Sequence, residues 1–265
     1  MKHRLTAALI ALIHRKPLHF AAAKGKAKAI KFLLKDGADI EARDDSDRTP
    51  LQVATSEGTP EAIRALLDAG ANTEVRTTKY GWTPLYLAIN HGTPEAIRAL
   101  LEAGANIEAQ DKGGWTPLHL AALLGTSEAI RALLDAGANI EAQDENGQTP
   151  LHVAVRWAPP TTICTLLIES GWTSLRRLVR HGTLEAIRTL LEAEANIEAR
   201  DEDGGTPLHH AAQYGTPETI RALLDAGANA KAQTRDDEFP ADLAENNEHI
   251  KKDPIYQKLN EARFE

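Results

Sequence analysis

The chain has 265 residues and a formal net charge of −8, with 38 acidic against 30 basic side chains. A surface of that sign is a poor match for non-specific binding to nucleic acid. Its single cysteine, Cys164, rules out an internal disulfide and fits a reducing compartment, and no apolar run approaches the ~20 residues that a membrane span needs.

The charge is uneven. Residues 1–35 carry nine Lys or Arg and no acid, leaving 21 basic and 38 acidic groups for the other 230. Lys2-His3-Arg4 followed by apolar Leu5 to Ile13 has the outline of a signal peptide. Its apolar part is short, however, and runs into His14-Arg15-Lys16. The small-residue stretch Ala21-Ala22-Ala23 falls inside the first repeated unit, where cleavage would destroy that unit. Residues 1–15 are therefore read as a helix that caps the apolar end of a stack. Lys24, Lys26, Lys28, Lys31 and Lys35 follow, either as a solvated face or as a contact for an anionic surface.

From residue 16 a unit recurs. Its anchors are Pro17, Pro50, Pro84, Pro117, Pro150, Pro207 and Pro240, with Ser174 in a further slot, at spacings of 33, 34, 33, 33, 24, 33 and 33 residues. A period near 33 predicts stacked units rather than one globular core. In residues 111–144, Asp111 to Trp115 form a turn. Thr116 caps a helix whose first position suits Pro117, and Gly125 ends it. A second helix, Ser127 to Ala136, carries Ile130, Leu133 and Leu134 on one face. Gly137 stops it, and Asn139 to Asp144 lead out as a finger.

Thr116-Pro117-Leu118-His119-Leu120-Ala121-Ala122, then Gly125, then Leu133-Leu134-Asp135-Ala136-Gly137-Ala138-Asn139, resembles the ankyrin repeat. Related strings recur across roughly residues 16–245. The resemblance implies an all-α repeat solenoid of helix-turn-helix units with short β-hairpin fingers. It divides the chain into a capping helix at 1–15, an array over 16–238 with a shortened repeat near 149–172, and a C-terminal capping repeat and helix at 239–265. Asp253-Pro254 open the final helix, read through Tyr256, Leu259 and Phe264, and this ending is similar to stand-alone bacterial ankyrin proteins.

The resemblance also implies protein binding through finger tips and the inner-helix face, with no shared catalytic residues. It gives His19, His119, His152 and His209, which occupy one slot, a structural link to backbone in the adjacent turn. Metal sites need ligands converging on one point, and histidines placed one per unit do not converge. The sequence shows no nucleophile elbow and no phosphate-binding glycine loop. No catalytic, cofactor-binding or metal-binding residue is assigned.

Outer helices such as 59–72, 93–106, 126–139 and 216–229 differ little, whereas turn tips and the two residues before the inner-helix glycine vary. Those positions supply Tyr80, Trp82, His91, Trp115, Leu123, Leu124, Arg156, Trp157, Trp172, Arg180, His181 and Tyr214. Tryptophan, tyrosine and arginine dominate binding hot spots, although tip tryptophans can equally pack on neighbouring fingers. The unit near 173–196 has Leu178-Val179 in place of the alanine pair and a basic inner helix with Arg176, Arg177 and Arg180. Two readings stand for this region. A missing finger opens a notch lined by Arg156, Trp157, Trp172, Arg177, Arg180 and His181 that receives an acidic partner, or a decayed repeat is tolerated by its neighbours.

The sequence thus points to a non-catalytic scaffold that binds a protein partner. The alternative is an electrostatic adaptor docking on an anionic membrane or nucleic acid through the basic N-terminal end. The expected location is cytoplasmic, with delivery into a host cell left open, and the sequence implies no cofactor and gives no oligomeric state.

Overall fold

Threonine followed by proline starts most of the helices, and the reason is local. At the inner helices the threonine keeps extended backbone while its hydroxyl serves the first turn. At the outer ones Thr59 and Thr93 instead donate back to inner-helix carbonyls. At both, proline's fixed φ suits a position whose N–H would go unused. Thr49 has ψ of 162°, and its hydroxyl accepts from the Gln52 N–H while the Gln52 amide oxygen accepts from the Thr49 N–H. The structure, a computed structural model, describes residues 16–57, 59–91, 93–155, 183–262 and 264. The capping helix expected over 1–15 lies outside these residues, as does Cys164.

Two compact units divide the chain, residues 1–112 and 113–265. In the first, inner helices α1 (Pro17–Ala23), α3 (Pro50–Ser56) and α5 (Pro84–His91) alternate with outer helices α2 (Ala27–Lys35), α4 (Pro60–Leu67) and α6 (Pro94–Glu102). Each inner helix packs on its own outer helix, and like helices stack on like. The inner helices are buried almost all round, Pro50 to Thr55 without exception in α3. Outer helices bury one stripe, Ala62, Ile63, Ala65 and Leu66 in α4, and expose Glu61 and Arg64. Fully buried alanines at 22, 54 and 88 leave no bulk between neighbouring inner helices. Leucines such as Leu51 and Leu85 then fill the layer, each stabilising by about 1.5–3 kcal/mol.

The second unit contains α7 (Pro117–Leu124), α8 (Ser127–Asp135), α9 (Pro150–Val155), α10 (Thr183–Glu192), α11 (Pro207–Tyr214) and α12 (Pro217–Asp225). It ends in α13 (Pro240–Ala244), α14 (Glu248–Lys251) and α15 (Pro254–Glu261). Inner helix α9 packs between α7 and α11, and α10 packs on α8, α9 and α12. α9 and α10 therefore pair as the inner and outer helix of one unit, although 27 residues separate them in sequence. The expected shortened repeat near 149–172 falls mainly on residues 156–182, outside the described ones. At the C-terminal end the Asn247 amide, buried under α11, donates to the carbonyls of Ala212 and Gly215 at 3.1 Å. Asp253 accepts from the Ile255 N–H at the start of α15. That helix stops at Glu261, so Phe264 lies beyond it with 83% of its surface exposed, rather than on its apolar face.

The fingers are hairpin turns without a strand ladder among the described residues. The N–H groups of Asp44, Asp144 and Asp201 donate to the carbonyls four residues on, Arg48, Gln148 and Gly205, at 2.9–3.0 Å. In each case the aspartate's own Oδ1 accepts N–H groups two and four residues downstream. This local ring holds each tip rigid at the end of an inner helix.

Candidate functional site

One slot in each inner helix ties a unit to the next finger. The Nε2–H groups of His19, His119, His152 and His209 donate to the carbonyls of Arg48, Gln148, Gly205 and Glu238 at 2.9–3.1 Å. For His119, His152 and His209, Nδ1 accepts from the preceding threonine's N–H and hydroxyl, which fixes the tautomer. The structural role that the sequence gives these histidines is what the geometry shows. Three of the links span 29 residues, but that of His152 spans 53.

A second tie runs along the fingers. Glu41, Glu74, Glu141 and Glu198 accept from the backbone N–H of Asn72, Asn106, Asn196 and Asn229 at 2.7–2.9 Å. A third uses tryptophan. The indole N–H of Trp82 donates to Asp111 at 3.3 Å and that of Trp115 to Asp144 at 3.0 Å.

These ties sort the candidate residues. Trp82 is only 8% exposed, stacked on Tyr86 at 5.9 Å and beside Tyr80 at 5.2 Å. Tyr80 is half-buried and carries the Lys79 ammonium 4.8 Å from its ring centre. The Arg76 guanidinium, reaching the carbonyls of Gly81 and Gln110, and the Lys112 ammonium, on the Thr78 carbonyl, close this finger tip. His91 is exposed at the end of α5. In the second unit Trp115 is half-buried against the His119 ring, Leu123 is half-buried, and Leu124 is 4% exposed. Tyr214, at the end of α11, is 39% exposed. Trp82 and Leu124 are thus packed inward, whereas His91, Leu123 and Tyr214 face outward. Arg156, Trp157, Trp172, Arg177, Arg180 and His181 lie outside the described residues. The five lysines from Lys24 to Lys35 are all exposed, next to Phe32 at 68% exposure.

Sequence reasoning missed one group. His210 sits beside the slot residue His209 and turns to the finger, where its Nε2–H donates to Asp201 at 2.6 Å. The His152 ring meets it edge-on at 5.2 Å. Burial, and then the neighbouring His210, push His152 down to about 4. Burial works against the Asp201 charge, but the His210 hydrogen bond and charge and the Gly205 N–H outweigh it and hold the carboxyl below its ordinary value. Ligand atoms of His152, Asp201 and His210 lie within 4.8 Å of one another. His152 nonetheless has both nitrogens committed, Nδ1 to Thr149 and Nε2 to Gly205. That leaves two donors, fewer than the three or four protein ligands of a zinc site. The group is a hydrogen-bonded lock between finger and helix.

Beside it opens a cleft of about 280 Å³, lined among others by Asp201, Asp203, Gly205, His210, Tyr214, Thr234, Asp236 and Glu238. Its position follows from the tryptophan ties. The slots that hold Trp82 with Asp111, and Trp115 with Asp144, hold Gly205 and Thr234 here, so no indole covers the inner helix.

The family description that reads ankyrin repeats in three copies matches residues 18–111, 104–171 and 162–236. Among solved structures, the ankyrin repeat domain of human ASB11 is 29% identical, with a TM-score of 0.69 over 93% of this chain and 97% of that one. The ankyrin repeat domain of Bcl-3, described as a member of the IκB protein family, is 26% identical, with a TM-score of 0.71 over 92% and 97%. An ankyrin repeat domain from Acinetobacter baumannii is 30% identical, with a TM-score of 0.63 over 80% and 98%. A search of the curated proteins found no significant match.

Proposed function

From the premise that this chain belongs to the ankyrin repeat family, whose domains mediate protein–protein interaction, we propose that it is a non-catalytic scaffold recognising a protein partner. Contact runs through the ends of the inner helices and the finger tips. One observation carries the reading. The outer helices repeat Ala-Ile-Arg-Ala-Leu-Leu at 62–67, 96–101 and 129–134, while the inner-helix ends read Ser56-Glu57, Asn90-His91, Leu123-Leu124 and Gln213-Tyr214, all of them half-buried or exposed except the buried Leu124. Stacking asks the same of every unit, so variety confined to one exposed edge fits a surface shaped by something else. The family's extended arrays present such edges to partners. Arg156 and Trp157 enter this reading by their place in the sequence alone, together with Trp172, Arg177, Arg180 and His181.

The non-catalytic reading is supported by the His152, Asp201 and His210 group, whose ring N–H protons on Nε2 are held in internal hydrogen bonds. No helix among those residues is long and apolar enough to cross a membrane.

Affinity capture with the full chain tests the reading. A protein retained by the parent and by an outer-helix variant (Glu61→Ala, Arg98→Ala, Glu128→Ala) is expected to be lost from a variant with His91→Ala, Leu123→Ala and Tyr214→Ala. Titration of the purified partner should then show at least a tenfold weaker Kd for that variant. Loss with the outer-helix variant and retention by the other would overturn the assignment of the face.

A further inference from the structure

We infer that the cleft between the last two fingers of the second unit receives an arginine or lysine side chain of the protein partner. The inference rests on the recognition function proposed above and names the chemistry of one contact.

The cleft is the vacated seat of a tryptophan. Two earlier fingers cover the inner helix with an indole whose N–H reaches an aspartate on the next finger. With Gly205 in the indole's place no ring covers the helix, and the Asp201 carboxylate lies 3.1 Å from where a Cβ would stand. The slot of the aspartate that meets the indole N–H holds Thr234 here, but Asp203, Asp236 and Glu238 line the same opening and can accept from the planar N–H fork of a guanidinium.

Charge decides between a neutral occupant and a cation. Four carboxylates, Asp201, Asp203, Asp236 and Glu238, line the cleft, and no lysine or arginine does. Asp201 is already held by His210, but Asp203, Asp236 and Glu238 are exposed and enter no ion pair among the described residues. Arg235, the nearest basic residue in sequence, lies outside the lining. Three solvated carboxylates around one opening repel each other and favour a cation between them.

His210 supplies an independent indication. It lines the cleft, is 9% exposed, and bonds Asp201 through Nε2; in the neutral ring that bond leaves Nδ1 as an acceptor. That buried nitrogen has no hydrogen-bond partner. Buried polar atoms are seldom left so, and this one belongs to a residue of the cleft wall. Tyr214, exposed at the rim with its ring centre 6.3 Å from that of His210, offers an aromatic face on which a guanidinium stacks.

The test is selection of random dodecapeptides on the immobilised full chain. The parallel variant is Asp203→Asn, Asp236→Asn, Glu238→Gln, which changes only exposed side chains and is checked for an unchanged thermal midpoint. Peptides selected on the parent are expected to share one arginine or lysine position. Replacing that residue by citrulline should weaken Kd at least tenfold on the parent and less than twofold on the variant. Selected peptides without a basic position, or an arginine preference that survives in the variant, would overturn the cleft as the site while leaving recognition intact. Recovery of no peptide above the bare surface would count against the recognition function and this contact together.

Discussion

Histidine, glutamine and tyrosine all serve at the slot that ties an inner helix to the next finger. Where the others have His, the first unit has Gln52, whose amide donates to Val75 at 3.0 Å, and Tyr86, whose hydroxyl donates to Ala109 at 2.9 Å. Two of the histidines, His152 and His209, make the slot sensitive to acid. His152 is held neutral down to about 4 against an ordinary 6.5, with burial the main cause. A depressed folded value means that the unfolded chain takes up the proton first. Stability is therefore full above about pH 6.5 and falls as the pH drops toward 4, by up to about 3 kcal/mol for this group. Burial moves His209 in the same direction and adds to the slope. His152→Gln copies the arrangement of Gln52 and should leave the fold intact while flattening the loss between pH 6.5 and 4 in urea titrations. An unchanged slope would remove His152 as its source. The slot was legible because the residues recur at a fixed place in each unit. The lock of His210 on Asp201 was not, because it depends on a finger folding back over its own helix.

Among the elements, the helix ends show how a single residue departs from the rule. Outer helices finish at Gly70, Gly104, Gly137 and Gly227 with φ of 80–96°, but α10 finishes with Glu194 at φ 64°. A Cβ at Gly70, Gly104 or Gly137 would meet nothing within 4 Å, so the cost at Glu194 is one of backbone conformation rather than collision. Glu194→Gly should stabilise the protein by about 1 kcal/mol, and Gly137→Glu should cost a similar amount, both read as shifts in urea midpoint. No change at either position would show that neighbouring residues relieve the strain. Helix starts were readable from Thr-Pro alone, since cap and first position are local chemistry. The fate of the tip tryptophans was not. Trp82 and Trp115 could have faced outward or inward until Asp111 and Asp144 were placed beside their indoles.

For the whole molecule, the decisive feature is the long step in the second unit. The histidine link spans 53 residues there and 29 elsewhere, and the glutamate link spans 55 where the others span 31 or 32. The excess matches the 24-residue spacing seen in the anchors. Removing residues 158–181 joins Arg156-Trp157 to Gly182-Thr183, which repeats the pattern Leu123-Leu124-Gly125-Thr126. That shortened chain should unfold cooperatively, within about 1 kcal/mol of the parent, as expected for an array built from neighbour contacts. A deletion of equal length over 183–206, which removes α10, should not fold. Equal outcomes for the two would mean that α9 and α10 are not partners. Trp172-Thr173-Ser174-Leu175 reads in sequence as the start of a further unit and lies outside the described residues, so the pairing of α9 with α10 is legible only from their packing.

The ladder of glutamates along the fingers has a consequence for heredity. In each rung a glutamate carboxylate accepts from a backbone N–H of the neighbouring finger, a donor that nearly every amino acid brings with it. A gene segment encoding one unit can therefore be copied, lost or transplanted without a matching change in the unit that receives it. Descent can thus alter the length of the array in single events, leaving point substitution free to act on the exposed edge.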